Sequence, residues 1–215
     1  MSQHRGSVSI TPCRLDQTAY AALRQGAVVL EQDGYGDKVL RLRDGRILKL
    51  FRRKRLLSSA LWLPYAVRFA RNAARLAEYG IPCPVVEAVY RIASVRRDAV
   101  LYQPLPGITL RAWIRQPHTA DDTLYMKHQV RAFIAHLHQL GVYFRSLHMG
   151  NVILTPQGQL GLIDIADLRF FPAALNEKLC MRNLRKLSRY PEEKAWLETA
   201  DRQNDIPQPH SSGKS

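Results

Sequence analysis

Apolar and polar positions begin to alternate near residue 27, where AVVLEQ (27–32) is followed by DGYGDK (33–38) and then VLRLRDGRILKLF (39–51). A period of two bounded by glycine-bearing turns predicts β-strands. Asp44-Gly45 between two apolar runs predicts a hairpin closed by a type I′ turn, with positive φ at both central residues. The second strand sets Leu48 and Leu50 on one face, and Ile47, Lys49 and Phe51 on the other. A lysine flanked on its own face by Ile and Phe needs either a water-exposed surface or an anionic partner. Residues 1–25 show no period and read as a loose lead-in.

Beyond residue 63 the period lengthens. Ala66, Phe69, Ala73 and Leu76 mark the apolar stripe of a helix over 64–79, with Arg68, Arg71 and Arg75 on a second face and Gly80 and Pro82 ending it. Strands follow at 85–92 and 99–102. A Pro/Gly-rich connector at 103–107 then divides a first unit (26–103) from a second (104–200). In the second unit, Asp121 or Asp122 caps a helix whose stripe is Met126, Val130, Phe133, Ile134 and Leu137, closed by Gly141. A short hairpin, 152–154 and 160–163 across Pro156-Gln157-Gly158, puts Asn151 and Asp164 at its two ends. The last helix, 175–190, carries Lys178, Arg182, Arg185 and Arg189 opposite Cys180, Leu184 and Leu187. Residues 201–215, rich in Pro, Gln and Ser, read as a disordered tail.

Composition narrows the partners. The 215 residues are 46% apolar and 23% charged, enough for one domain or two small lobes. A net charge of +14 calls for anions: nucleic acid, phosphorylated sugars or an anionic leaflet. Three cysteines, Cys13, Cys83 and Cys180, without C-x-x-C spacing, speak against a disulfide framework and against zinc. The N-terminus lacks an apolar core of signal-peptide length, and the longest uncharged run, the twelve residues 56–67, contains Pro64 and is too short to span a bilayer. The expectation is a cytoplasmic protein with peripheral contact to the inner membrane.

The candidate chemistry lies in 141–170, GVYFRSLHMGNVILTPQGQLGLIDIADLRF. The protein-kinase catalytic loop reads H-R-D-L-x-x-x-N and precedes a metal-binding D-F-G. Here Phe144-Arg145-Ser146-Leu147 stands in that place, Asn151 follows Ser146 by five residues, and Asp164-Ile165-Ala166 replaces D-F-G. Together with RILKLFRRKR, YGIPCP, AVLYQPLPGITL and IAHLHQLG, in this order, the chain over 27–190 resembles bacterial lipopolysaccharide core kinases and the related toluene-tolerance proteins of Gram-negative bacteria. The resemblance implies an α+β, two-lobed protein-kinase-like fold with a small antiparallel β N-lobe and a mainly helical C-lobe. It also implies ATP and Mg²⁺ as cofactors and the lipopolysaccharide core, or another anionic glycolipid, as partner; nucleic acid is not expected.

By the same resemblance Lys49 matches the strand lysine on the ATP phosphates, and Gly34 and Gly36 match a phosphate-approaching glycine loop. Tyr102, Gln103 and Leu105 match the hinge, and Asn151 and Asp164 match the Mg²⁺ ligands. Read as bare residues, Gly34 and Gly36 suit an ordinary hairpin turn equally well. Asn151 and Asp164 suit a metal that takes few protein oxygens. Two departures stand out. Ser146 replaces the catalytic aspartate, and the helix after Pro64 has no glutamate placed to pair with Lys49, leaving Asn72 as a neutral supporter. His148 either supplies the missing base or packs within the loop; Asp167 either assists Asp164 or is structural. The readings are therefore a lipopolysaccharide-type kinase with Ser146, His148 and Lys49 as catalytic candidates, a pseudokinase with a binding role, and a basic surface-binding module.

Overall fold

The computed structural model describes residues 10–53, 64–187 and Glu193. The first unit is a six-stranded sheet of order β1-β5-β6-β4-β3-β2. Its strands are β1 (Cys13–Leu15), β2 (Val28–Asp33), β3 (Gly36–Arg41), β4 (Ile47–Arg52), β5 (Val85–Ile92) and β6 (Arg97–Gln103), with helix α1 (Gln17–Arg24) after β1 and helix α2 (Tyr65–Glu78) between β4 and β5. All pairings are antiparallel except β1 with β5, where Cys13, Arg14 and Leu15 face Tyr90, Arg91 and Ile92 in parallel.

The lead-in is therefore not loose from residue 13 onward. The sheet's outer face carries Leu40, Leu48, Leu50, Ile92 and Leu101, all nearly inaccessible, and α1 covers it with Tyr20 and Leu23. Without α1 that apolar face would meet water. Asp16 caps α1 by accepting from the Ala19 N–H.

The turn after β3 also differs from expectation. Among the described non-glycine residues, positive φ occurs only at Arg96 and Asp164, so Asp44 is not left-handed, whereas Gly45 is (φ +85°). Leu42 N–H donates to Arg46 O, and Gly45 N–H donates to Leu42 O. The loop is thus three residues long, a turn followed by a left-handed glycine, which still preserves strand register.

On the sheet's inner face α2 packs Ala66, Phe69, Ala73 and Leu76, the stripe read from the sequence, and Phe69 stacks on Tyr102 at 5.1 Å. The same core continues through Val100 into the second unit, reaching Leu137, Phe144 and Leu162. That unit comprises β7 (Ile108–Thr109), α3 (Leu110–Ile114), α4 (Ala120–Gln139), β8 (Val142–Phe144), β9 (Val152–Leu154), β10 (Leu160–Leu162), β11 (Leu168–Phe170) and α5 (Glu177–Leu187). Helix α4 is capped by Thr119, whose hydroxyl accepts from Asp122 N–H, so Asp121 and Asp122 sit in the first turn and not at the cap. The molecule is α+β and two-lobed, with a sheet lobe and a helix-rich lobe. The lobes meet closely at Gly161: Leu162 N–H donates to Pro82 O, and a Cβ on Gly161 would lie 2.5 Å from that oxygen.

All three cysteines are free thiols. Among the described residues no helix is long and apolar enough to cross a membrane. Lys54, Arg55, Leu56, Leu57, Trp62, Arg189 and the 201–215 tail lie outside the described residues.

Candidate active site

Two short ladders assemble the site. Strands β8 and β11 pair antiparallel, Phe144 opposite Leu168, while β9 pairs with β10, Val152 opposite Leu162. The loop after β8 and the loop after β10 therefore lie side by side. Ile163 N–H donates to Asn151 O at 3.0 Å, joining the two loops next to both expected metal ligands. The Asn151 side chain is buried and its Nδ2 donates to Ser146 O at 2.9 Å, which leaves the amide oxygen as the atom to meet a cation. Asp164 sits in the left-handed region at φ +53°, ψ +42°. Aspartate tolerates this conformation better than most residues, and such backbone strain concentrates at functional sites.

Lys49 is buried in the middle of β4, opposite Val39 and Val100, and donates from Nζ to Asp164 Oδ1 at 2.5 Å. The anionic partner that its apolar strand face demanded is thus Asp164. Asn72, expected as a neutral supporter of Lys49, does something else. From the buried face of α2 it donates to Ile165 O (2.6 Å) and Leu168 O (3.3 Å), holding the backbone that follows Asp164. Glu78, the only acid on α2, pairs with Arg75 at the helix end.

Ser146 is half-buried, and its hydroxyl is close enough to the Asp167 carboxylate to favour its charged form. Burial pushes the Asp167 carboxyl above its ordinary range, and nearby Asp164 adds to this, whereas the Ser146 hydroxyl and the Arg145 and Arg68 charges oppose it. Asp167 Oδ1 is buried without a hydrogen-bond partner among the described residues. His148, the other catalytic candidate, is pulled below its ordinary value by burial and then by Arg111. Its Nδ1 lies 3.4 Å from Arg111 Nη2, a donor, so that ring nitrogen acts as acceptor.

Arg111 itself donates to Glu193 Oε1 from Nε (2.8 Å) and Nη2 (2.6 Å), and the fully buried Glu193 accepts Met149 N–H at 2.9 Å through its other oxygen. This clamp on the 148–151 turn carried no sequence signal: Glu193 stands in an ordinary charged run. Asn183 of α5 adds a second brace, accepting from His138 Nε2 at 3.0 Å and donating to Phe144 O at 2.6 Å. His138 is thus a structural residue of α4.

The expected nucleotide residues are spread along the sheet. Gly34 and Tyr35 form a tight turn between β2 and β3, and Gly36 needs its φ of +110°. A Cβ on Gly34 or Gly36 would meet nothing within 4 Å, so packing does not require glycine there. The turn is tethered at the sheet end remote from the connector: Asp33 pairs with Arg97 at 2.6 Å, and Arg52 stacks on Tyr35 at 3.4 Å. Tyr102, its hydroxyl pushed up by burial, and Gln103 end β6, where Gln103 Nε2 donates to Glu87 Oε1. The Leu105 side chain lines an apolar cavity of about 490 Å³ with Ala73, Ile81 and Pro82, so only its backbone could serve a nucleotide in the Lys49 cleft.

The donor set suits Mg²⁺, a hard ion that takes one or two protein oxygens and completes its shell with phosphate and water. Among the described residues no cluster of three or more His, Cys, Asp or Glu forms a cage. The arrangement offers one buried ammonium, one carboxylate and one amide oxygen. No curated protein matches the chain in sequence. The family model described as lipopolysaccharide kinase (Kdo/WaaP) matches residues 18–205, most of the chain and every residue of the site, so the chain belongs to the lipopolysaccharide kinase (Kdo/WaaP) family.

Proposed function

We propose that the chain transfers the γ-phosphoryl group of ATP to a hydroxyl of an inner-core sugar of lipopolysaccharide. The observation that carries the reading is the 2.5 Å contact between Lys49 and Asp164, with Asn151 one backbone hydrogen bond away. With nucleotide bound, Lys49 would hold phosphate oxygens in place of Asp164, and Asp164 and Asn151 would hold the metal. Bound Mg²⁺ would neutralise charge on the phosphates. The transition state is loose in most analyses, so positioning and charge neutralisation dominate. The Gly34–Gly36 turn would close over the phosphates, and the backbone at 102–105 would meet the base.

The acceptor class rests on the family and on the basic charge. Lys178 and Arg182 are exposed on α5, a face suited to an anionic glycolipid at the inner leaflet. The test is incubation with labelled ATP, Mg²⁺ and purified core oligosaccharide. Transfer by the native chain, abolished in Asp164→Ala together with Mg-ATP binding, is the expected result; Mg-ATP binding by Asp164→Ala as tight as by the native chain would refute the metal assignment. A pseudokinase is the second reading, favoured by the missing carboxylate at Ser146. Mg-ATP binding without transfer to any core acceptor would select it.

A further inference from the structure

Two residues late in the chain reach back to the catalytic loop. Asn183 of α5, 1% exposed, donates to Phe144 O at 2.6 Å, just before Arg145. Glu193, wholly inaccessible, accepts the Met149 N–H at 2.9 Å, two residues before Asn151. We propose that Glu193, held by Arg111, is a positioning residue for the metal site: through the Met149 amide it sets the turn from which the Asn151 amide oxygen meets Mg²⁺. This rests on the phosphotransferase reading above and adds to it a pair of residues that act on the metal only through another.

Each link is a direct contact. Arg111 lies on α3, and the strand before it, β7, pairs with β9 so that Thr109 faces Ile153. Strand β9 begins at Val152, next to Asn151, so guanidinium and metal ligand are referenced to one strand. Arg111 Nε and Nη2 both donate to Glu193 Oε1, at 2.8 and 2.6 Å, which leaves the other carboxylate oxygen for Met149 N–H. The turn is closed by Asn151 N–H on His148 O at 2.8 Å. Asn151 is fixed further by Ile163 N–H on its carbonyl and by its own Nδ2 on Ser146 O. A Cβ on Gly150 would lie 3.1 Å from Arg111 Nη1 and 3.0 Å from His148 Nδ1, so the guanidinium and the imidazole pack closely on the turn. A shift of Met149 is thus carried straight to Asn151.

A buried ion pair is a costly way to stabilise a fold. Desolvation of the two charges offsets much of their attraction, and apolar residues of like volume often do as well or better. An apolar pair could fill the space under the turn, but it could not accept the Met149 N–H. What Arg111 and Glu193 contribute is a fixed geometry. Groups that orient metal ligands from outside the coordination sphere are typically worth about 10–100-fold in metal affinity or activity. Lys49 stands apart from the clamp, on β4 of the sheet lobe with Asp164 as its partner. The clamp therefore acts on the metal-dependent part of nucleotide binding and spares the part that Lys49 supplies.

The test is titration calorimetry of ATP, with Mg²⁺ and with the metal chelated, on the full native chain, Glu193→Ala, Glu193→Gln and Arg111→Lys, each well below its melting midpoint. In Glu193→Ala, Mg-ATP affinity should fall by about 10–100-fold while metal-free ATP affinity stays at the native value. Glu193→Gln keeps an oxygen for Met149 N–H, and Arg111→Lys keeps the charge without the two-pronged grip, so both should recover part of the loss. A merely structural Glu193 would weaken both forms of ATP together, or lower only the melting midpoint. Either result overturns the positioning role and leaves the kinase reading intact. Should Glu193→Ala fail to fold, the two conservative variants decide: native Mg-ATP affinity in both overturns the proposal. A native chain that binds ATP no better with Mg²⁺ than without it overturns the metal assignment itself, and this inference falls with it.

Discussion

Removing the Glu193 carboxylate tests whether the 148–151 turn is clamped from the far end of the chain. Glu193 is fully buried and receives three hydrogen bonds, two from Arg111 and one from Met149 N–H. In Glu193→Ala the Met149 N–H is left unsatisfied, which costs about 1–3 kcal/mol. Breaking a buried ion pair from one side costs about 3–5 kcal/mol when the remaining charge stays buried. The Arg111 side chain is 24% exposed, so water relieves part of that charge. The expected loss is therefore near the low end, about 3 kcal/mol. For a chain of this size each kcal/mol shifts the melting midpoint by about 2–4 °C, giving a drop of roughly 6–12 °C. Glu193→Gln keeps an acceptor oxygen and loses the charge, and should fall in between. Denaturant melts of the full chain supply the free energies. In Arg111→Ala/Glu193→Ala the loss should be smaller than the sum of the singles, since no unpaired charge remains. A Glu193→Ala loss below about 0.5 kcal/mol, the range of ordinary surface changes, would refute the clamp.

Asn72→Ala frees the carbonyls of Ile165 and Leu168; it should cost about 1–3 kcal/mol and weaken Mg-ATP binding, read by melting and by titration calorimetry. Unchanged stability would show that the turn holds itself. Asp167→Asn should melt above the native chain near neutral pH. Burial raises the Asp167 pKa, so the folded state binds the proton more tightly than the unfolded state, and native stability declines as pH rises from the ordinary carboxylate value through the raised one. The gap should close on acidification; melts across pH check it, and a constant gap would refute it. Binding to vesicles containing anionic lipid should fall steeply with added salt in a flotation assay, because exposed charges are screened beyond about 8 Å at physiological ionic strength. Salt-independent binding would count against a basic contact face.

The long periodic elements were legible because burial pattern alone specifies them. Helix α2 begins after Pro64 and ends at Glu78 as its stripe requires, and β5 spans the predicted residues. The 152–162 hairpin delivered Asn151 and Asp164 to adjacent loops, as its turn residues implied. Elements fixed by distant partners were not legible. Strand β1 has three residues and no buried side chain, and it exists through parallel pairing with β5, seventy-seven residues further along at Cys13–Tyr90. Strands β8 and β11 are as short, and each needs the other. The same logic hid Asn72 and Glu193, whose roles depend on backbone groups 93 and 44 residues away. Local pattern sees neither.

On the phosphotransferase reading the missing helix glutamate has a physical explanation. A lysine buried to the extent of Lys49 must have an anion, and in the free chain Asp164 provides it. A helix glutamate would give Lys49 a permanent partner; here the partner is Asp164, the proposed metal ligand. Phosphate that drew Lys49 away would free Asp164 for a cation, so nucleotide and cation would reinforce each other's binding through that one ion pair. The ordering that a helix glutamate would supply on the lysine side comes instead from Asn72, on the backbone after Asp164. The segment 164–168 therefore gathers the partner of Lys49 and the two carbonyls that Asn72 holds, which is why α2 and β8 converge on it.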